Sequence, residues 1–159
     1  MELLTVREVR PEDETQVAEL DSLATLDLRN VYRPTVTATV CRAALVARTR
    51  RLVAVIEGRV VGVLQYYLVE GRLALFGLGV HPQFRRRRVA AALIRELEAI
   101  GREVGCAALT LHTVRETGNV EIFQRLGFLV ESDAPTDLFQ SDGRELLSEV
   151  VMRKELDRN

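Results

Sequence analysis

The sequence predicts one α+β domain on a mixed, mostly antiparallel twisted sheet. Three observations carry this expectation. Strand and helix signals alternate along the chain. In its middle, valine- and tyrosine-rich stretches are joined by short Glu-Gly turns, the pattern of an antiparallel meander. An amphipathic helix then separates two strand-like segments, which suits a right-handed parallel crossover. The 159 residues are one domain's worth, enough to bury a core without disulfides or a metal. About seven strands and four helices are expected over 1–159.

Leu3–Val9 alternates apolar and polar residues and reads as a half-buried strand. Pro11-Glu12-Asp13-Glu14 reads as a helix start, with proline in the first turn and acids at the positive end of the helix dipole. Val17, Leu20, Leu23 and Ala24 continue it at helical spacing. Asn30–Pro34 reads as a loop and Val36–Arg48 as a second helix. Leu52–Ile56, Val60–Val69 and Leu73–Val80 are the meander strands, with turns at Glu57-Gly58-Arg59 and Glu70-Gly71. Gly77 and Gly79 interrupt the last of them, as at a bulge or a close backbone approach. Val89, Leu93, Leu97, Ile100 and Val104 define the amphipathic helix. Ala107–His112 is the strand after the crossover. Asn119–Leu126 is a short helix stopped by Gly127. Phe128–Val130 and Leu146–Met152 are the last strands, the latter preceded by an Asp142-Gly143 turn.

Composition excludes several classes. Hydrophobic residues are 47% and charged residues 28% of the chain, so it is neither disordered nor collagen-like. No apolar run reaches the roughly 20 residues needed to span a bilayer, and Met1–Arg10 does not read as a signal peptide. No membrane association and a cytoplasmic location are expected. The net charge of −1 argues against general nucleic-acid binding. Only Lys154 of the 22 basic residues is lysine, so arginine is a background preference. Cys41 and Cys106 stand apart, Cys106 reads as packing, and no metal-ligand spacing occurs; no metal is expected.

The informative stretch runs from Leu78 to Ile94. A strand, Leu78-Gly79-Val80, leads through His81-Pro82-Gln83-Phe84 into the basic run Arg85-Arg86-Arg87-Arg88, with a helix expected to begin near Arg86 and to continue through Val89 and Ala90. The unpaired N–H groups and dipole of a helix start attract anions. Arginines add bidentate phosphate donors, and Ala90 permits close approach. Pyrophosphate binding is the chemistry this predicts. A solvated charge run and a nucleic-acid patch are the competing readings. The second lacks aromatic interleaving apart from Phe84.

Here the sequence resembles the GCN5-related N-acetyltransferase (GNAT) family. Val80, Pro82, Arg85 and Ala90 fit its central motif, with Arg86 and Arg88 where glycines are usual. Asn119–Phe128 resembles the family's second CoA-contacting helix, and Val150–Leu156 its last strand. The resemblance implies a GNAT-like domain whose strands Leu73–Val80 and Ala107–His112 splay apart around acetyl-CoA. Leu78, Gly79 and Val80 would meet the pantetheine arm, with an N–H near Val80 stabilising the oxyanion. Arg85, Arg86, Arg87, Arg88, Val89 and Ala90 would hold the pyrophosphate, and Asn119, Phe123 and Arg125 would contribute from the short helix.

The resemblance also implies an acid at position 123, which is Phe123, and a carboxylate on Leu73–Phe76, which has none. The catalytic groups therefore stay open. Tyr66, Tyr67, His112 and Tyr32 are the candidates, with a strand-end structural role as the alternative for His112. A site without a strong base favours an α-amine, near pKa 7.7–8.0, over a lysine amine near 10.4. Two classes of function follow. One is an N-acetyltransferase using acetyl-CoA and a small-molecule or peptide amine, by direct attack in a ternary complex. The other is an acyl-CoA-binding or interaction module that keeps the fold. Asn30–Pro34 and Ala134–Gly143 are expected to border the acceptor, and a homodimer is open by analogy.

Overall fold

The structure is a computed structural model that describes residues 3–141 and 146–157. Seven strands form the main sheet, in the order β1-β3-β4-β5-β6-β9-β7. They are β1 (Leu4–Glu8), β3 (Arg50–Ile56), β4 (Arg59–Val69), β5 (Arg72–Val80), β6 (Ala108–Val114), β7 (Leu129–Thr136) and β9 (Leu147–Glu155). Two short segments, β2 (Arg33–Pro34) and β8 (Phe139–Gln140), pair separately. The helices are α1 (Glu14–Arg29), α2 (Val36–Val46), α3 (Val89–Glu103) and α4 (Asn119–Arg125).

The hairpins follow from their turns. Glu57 and Gly58 have φ of 50° and 77°, and Glu70 and Gly71 have 47° and 75°. Positive φ at both central residues gives a type I′ turn, whose twist matches that of paired strands. The meander then continues through the α3 crossover into β6, and β5–β6 is the one parallel pair of the sheet among the described residues.

Side-chain alternation divides the core between the two faces of the sheet. On one, Val89, Leu93 and Leu97 of α3 pack against Leu52, Leu64 and Leu109. On the other, Val17 and Leu20 of α1 pack against Val53, Val60 and Val63. Gly62 lets α3 seat closely on β4, since a Cβ there would lie 2.7 Å from Val89 Cγ1. At the end of α4 the Gly127 N–H donates to the Gln124 carbonyl and the Phe128 N–H to the Phe123 carbonyl, both at 3.0 Å. With Gly127 at φ 96° this is a Schellman ending. Lys154 covers it, donating to the Leu126 carbonyl at 2.8 Å and pairing with Glu98.

Several boundaries differ from expectation. Phe128 is a core residue rather than the start of a strand, and β7 runs on to Thr136. Seven of the eight β7 residues are exposed, so it carries no alternation; its pairing with β9 makes it a strand. The last strand begins at Leu147 and extends to Glu155, because it pairs with β6 on one side and β7 on the other. Arg33–Pro34 was expected as loop and instead pairs with Phe139–Gln140. Ala134 belongs to β7, not to a loop. The Asp142-Gly143 turn lies outside the described residues.

Candidate active-site cleft

The sheet opens at one point. β5 pairs with β6 only from Arg72↔Ala108 to Leu75↔Leu111. Phe76 has no counterpart on β4, where the register shifts between Gln65 and Tyr66. This bulge turns β5 away. β6 continues with β9 as far as Val114↔Glu149. The edge of Phe76–Val80 that faces away from β4 is left without a strand partner, and the divergence holds a cleft of about 360 Å³. Leu78, Gly79, Asn119 and Phe123 line it, while Val80 and Arg125 are not among its lining residues.

The basic loop is less uniform than four equivalent arginines. Pro82–Phe84 forms a single 3-10 turn, capped by His81 Nδ1, which accepts from the Gln83 N–H at 3.2 Å. Arg85 reaches back to Asp27 of α1 at 2.8 Å. Arg59 and Arg87 lie over the Phe84 ring, 5.3 and 5.2 Å from its centroid. Arg86 and Arg88 are set apart by backbone, with left-handed φ of 65° and 61°. α3 begins at Val89, not near Arg86. Turns that alternate into the left-handed region aim successive N–H groups into an anion-binding concavity. The open N–H groups of the first helical turn adjoin it.

The candidate acid–base residues separate clearly. Tyr66 is a core side chain, 3% exposed, and burial pushes its hydroxyl pKa up. Tyr67 packs edge-on against Phe76 at 6.4 Å. Neither lines the cleft, because both sit on β4 beyond its bulge, opposite the part of β5 that still pairs with β6. His112 does line it, with Nδ1 3.0 Å from Glu149 Oε1. Phe123 also lines it, edge-on to Phe128. Asn119 does not cap α4: Gly118 precedes the helix at φ 81°, and Thr117 Oγ1 accepts the Asn119 N–H at 3.2 Å. Tyr32 borders the cleft against Phe139, and burial pushes its hydroxyl pKa up.

The structure also brings in residues that the sequence reading passed over. The Leu73–Phe76 segment has no carboxylate, yet Glu149 of β9 and Asp21 of α1 both reach the cleft. Asp21 is half-buried, and desolvation pushes its carboxyl pKa up against the opposing pull of Arg42 and Arg51. Its signal was present: Val17, Asp21, Ala24 and Leu28 fall on one helical face, so an acid interrupts an apolar stripe. Arg29 and Arg42 complete the charged lining. Among the described residues no group of three or more His, Cys, Asp or Glu could hold a metal ion. Nor is any described helix long and apolar enough to cross a membrane.

The sheet thus opens a cleft between diverging parallel strands, flanked by a basic loop and a helix start. Residues 10–128 match the acetyltransferase (GNAT) family, and the chain belongs to that family. The chain is an acetyltransferase, and the family's acyl donor is acetyl-CoA. Solved structures of this fold resemble it over nearly its whole length. The ribosomal-protein-S18-alanine N-acetyltransferase of Escherichia coli is 16% identical, with a TM-score of 0.72 over 99% of this chain and 96% of that one. The ribosomal-protein-alanine N-acetyltransferase of Brucella melitensis is 19% identical, with a TM-score of 0.73 over 96% and 99%. The PaiA N-acetyltransferase of Thermoplasma acidophilum, in complex with coenzyme A, is 16% identical, with a TM-score of 0.71 over 96% and 99%. At these identities the likeness is one of fold.

Proposed function

We propose that the chain acetylates a primary amine, preferentially an α-amine, by direct attack on acetyl-CoA in a ternary complex. The unpartnered edge of β5 beside the left-handed Arg86 and Arg88 carries this reading. A strand edge accepts an extended amide-bearing chain as an added strand would, which suits pantetheine along Leu78, Gly79 and Val80. The turn from Arg85 to Ala90 suits the pyrophosphate, through backbone N–H groups and the Arg86 and Arg88 guanidiniums. Asn119, Phe123 and Arg125 would close the opposite wall. When bound, acetyl-CoA supplies an activated acetyl thioester.

The chain's own residues then have three tasks. An N–H near Val80 would stabilise negative charge developing on the carbonyl oxygen. His112 would take the proton of the attacking amine. Glu149 can only accept a hydrogen bond as a carboxylate, so it selects the His112 tautomer with the proton on Nδ1. That leaves Nε2 as acceptor. Phe123 has no proton to give, so the thiolate leaves unassisted by that side chain. This is tolerable for a group whose class has a pKa near 8.5. An imidazole base matches an α-amine better than the more basic lysine amine.

Thiol release measured across a panel of amines, with calorimetric titration of acetyl-CoA, tests the proposal. Acetyl-CoA should bind, and α-amines should turn over faster than blocked-lysine peptides. His112→Ala should lower kcat by about 10²–10⁴-fold. An absence of acetyl-CoA binding would overturn the assignment of the cradle. Full kcat in His112→Ala would remove the base.

A further inference from the structure

The cleft contains charged groups that the transfer chemistry above does not use. Arg29 of α1 and Arg42 of α2 both line it. The Arg42 guanidinium lies over the Phe76 ring, 4.8 Å from the centroid, and that of Arg29 lies 5.9 Å from the Tyr32 centroid. Tyr32, Phe76 and both arginines line the same cavity. Neither has a hydrogen-bonded carboxylate among the described residues. Elsewhere the chain pairs its arginines readily, as in Arg7–Asp13, Arg51–Glu14 and Arg85–Asp27. A guanidinium held over a ring keeps its N–H fork at the edge, free for a planar anion in bidentate geometry.

Opposite charges occupy the same cleft. Asp21 and Glu149 are the two carboxylates in its lining, against Arg29 and Arg42. The lining is thus formally balanced, with His112 beside Glu149. A site with both signs at fixed places complements a molecule with both signs. We propose that the acceptor is a zwitterion, a small molecule of the α-amino-acid class with a carboxylate close to its amine. Arg29 and Arg42 receive the carboxylate, and Asp21 and the His112–Glu149 pair face the amine. This rests on the acetyl-transfer reading above. Two arginines in the lining disfavour a polycation. Two carboxylates disfavour a dianion.

The test compares free amino acids, their C-terminal amides and a linear diamine as acceptors. The amides keep the amine and lose the negative charge. Free acids should exceed the amides in kcat/KM by at least about tenfold, as expected for charge-assisted hydrogen bonds. Arg42→Gln and Arg29→Gln should raise KM for the acids by about tenfold to a hundredfold, far more than for the amides, and leave kcat within a few-fold. Arg48→Gln, beyond the end of α2 and outside the cleft, should change neither. Amides equal to acids, or variants that affect both alike, would overturn the proposal while leaving acetyl transfer intact. If no amine turns over, acids and amides titrated against CoA-loaded protein decide. Selective acid binding that Arg42→Gln abolishes supports the zwitterion site, and equal or absent binding overturns it. Failure of acetyl-CoA itself to bind marks failure of the transfer reading.

Discussion

Arg88 immediately precedes α3 at φ 61°, where a helix-capping residue is ordinarily extended. A side chain with a Cβ in the left-handed region costs about 1–2 kcal/mol. The surroundings hold it there. Val89 is buried at 1% exposure against Gly62, and three residues earlier Arg85 is tied to Asp27. Arg88→Gly removes that cost but gives back about 0.5–1 kcal/mol of unfolded-state backbone freedom. The net expectation is a gain of about 0.5–1 kcal/mol, or roughly 1–4 °C in Tm for a chain of this length. Arg88→Ala keeps the Cβ and the strain, so its Tm should stay close to that of the parent. Acetyl-CoA affinity should move the other way. Loss of one charge-assisted phosphate contact weakens binding by about tenfold or more. Ligand-free thermal unfolding and calorimetric titration of all three proteins read both quantities. Strain at residue 88 is refuted if the Gly and Ala variants melt together. The guanidinium contact is refuted if Arg88→Gly binds acetyl-CoA as tightly as the parent. Opposite signs for stability and binding would mean that backbone strain is stored at the ligand site.

Two further predictions concern the scaffold. The buried Asp13 carboxylate accepts two Arg7 N–H groups at 2.7 and 3.0 Å and the Arg10 N–H at 2.7 Å, and these hold its pKa below the usual carboxylate range. A depressed folded-state pKa contributes stability that is complete above the unfolded value near 3.9 and is lost as pH falls through the folded value. Asp13→Asn should therefore cost about 1.5–3 kcal/mol at pH 7, with a gap from the parent that narrows in acid; a gap independent of pH in thermal melts would reject the pair's role. Gly62→Ala places a Cβ 2.7 Å from Val89 Cγ1 and 3.1 Å from Leu93 Cδ1. Valine is stiff at χ1, so α3 must shift, at a cost of about 1–3 kcal/mol in urea unfolding. A neutral substitution would contradict the close seating of α3 on β4.

The parts of this molecule that were legible in its sequence are those whose physics is local. Val89, Leu93 and Leu97 announce α3 because one helix face repeats within a few residues, and Glu57-Gly58 and Glu70-Gly71 announce hairpins because turn chemistry occupies two residues. The basic loop was legible for the same reason, since strand end, arginines and helix start are contiguous from Leu78 to Ala90. β7 was read short because an edge strand exposed on both faces has no apolar period; only the distant β9 defines it. The β2–β8 pairing likewise joins segments over a hundred residues apart.

The acceptor side of the cleft failed to show for the deeper version of that reason. Asp21, Arg42, His112 and Glu149 stand on α1, α2, β6 and β9, and only the sheet order brings them to one cavity. In sequence Asp21, Arg42 and Glu149 are ordinary charged residues among many, and of these only the Asp21 break in an apolar stripe carried a local signal; His112 was legible as a strand-end histidine. The two halves of the cleft are therefore specified differently. On the proposed reading the donor half is one continuous segment whose backbone geometry would do the binding, which is why arginine could stand there where glycine is usual. The acceptor half is set by side chains on separate elements, so single substitutions there change which amine fits while leaving the cradle intact. The arginine substitutions proposed above act on that half alone, and a selective loss of free-acid acceptors is what this division requires.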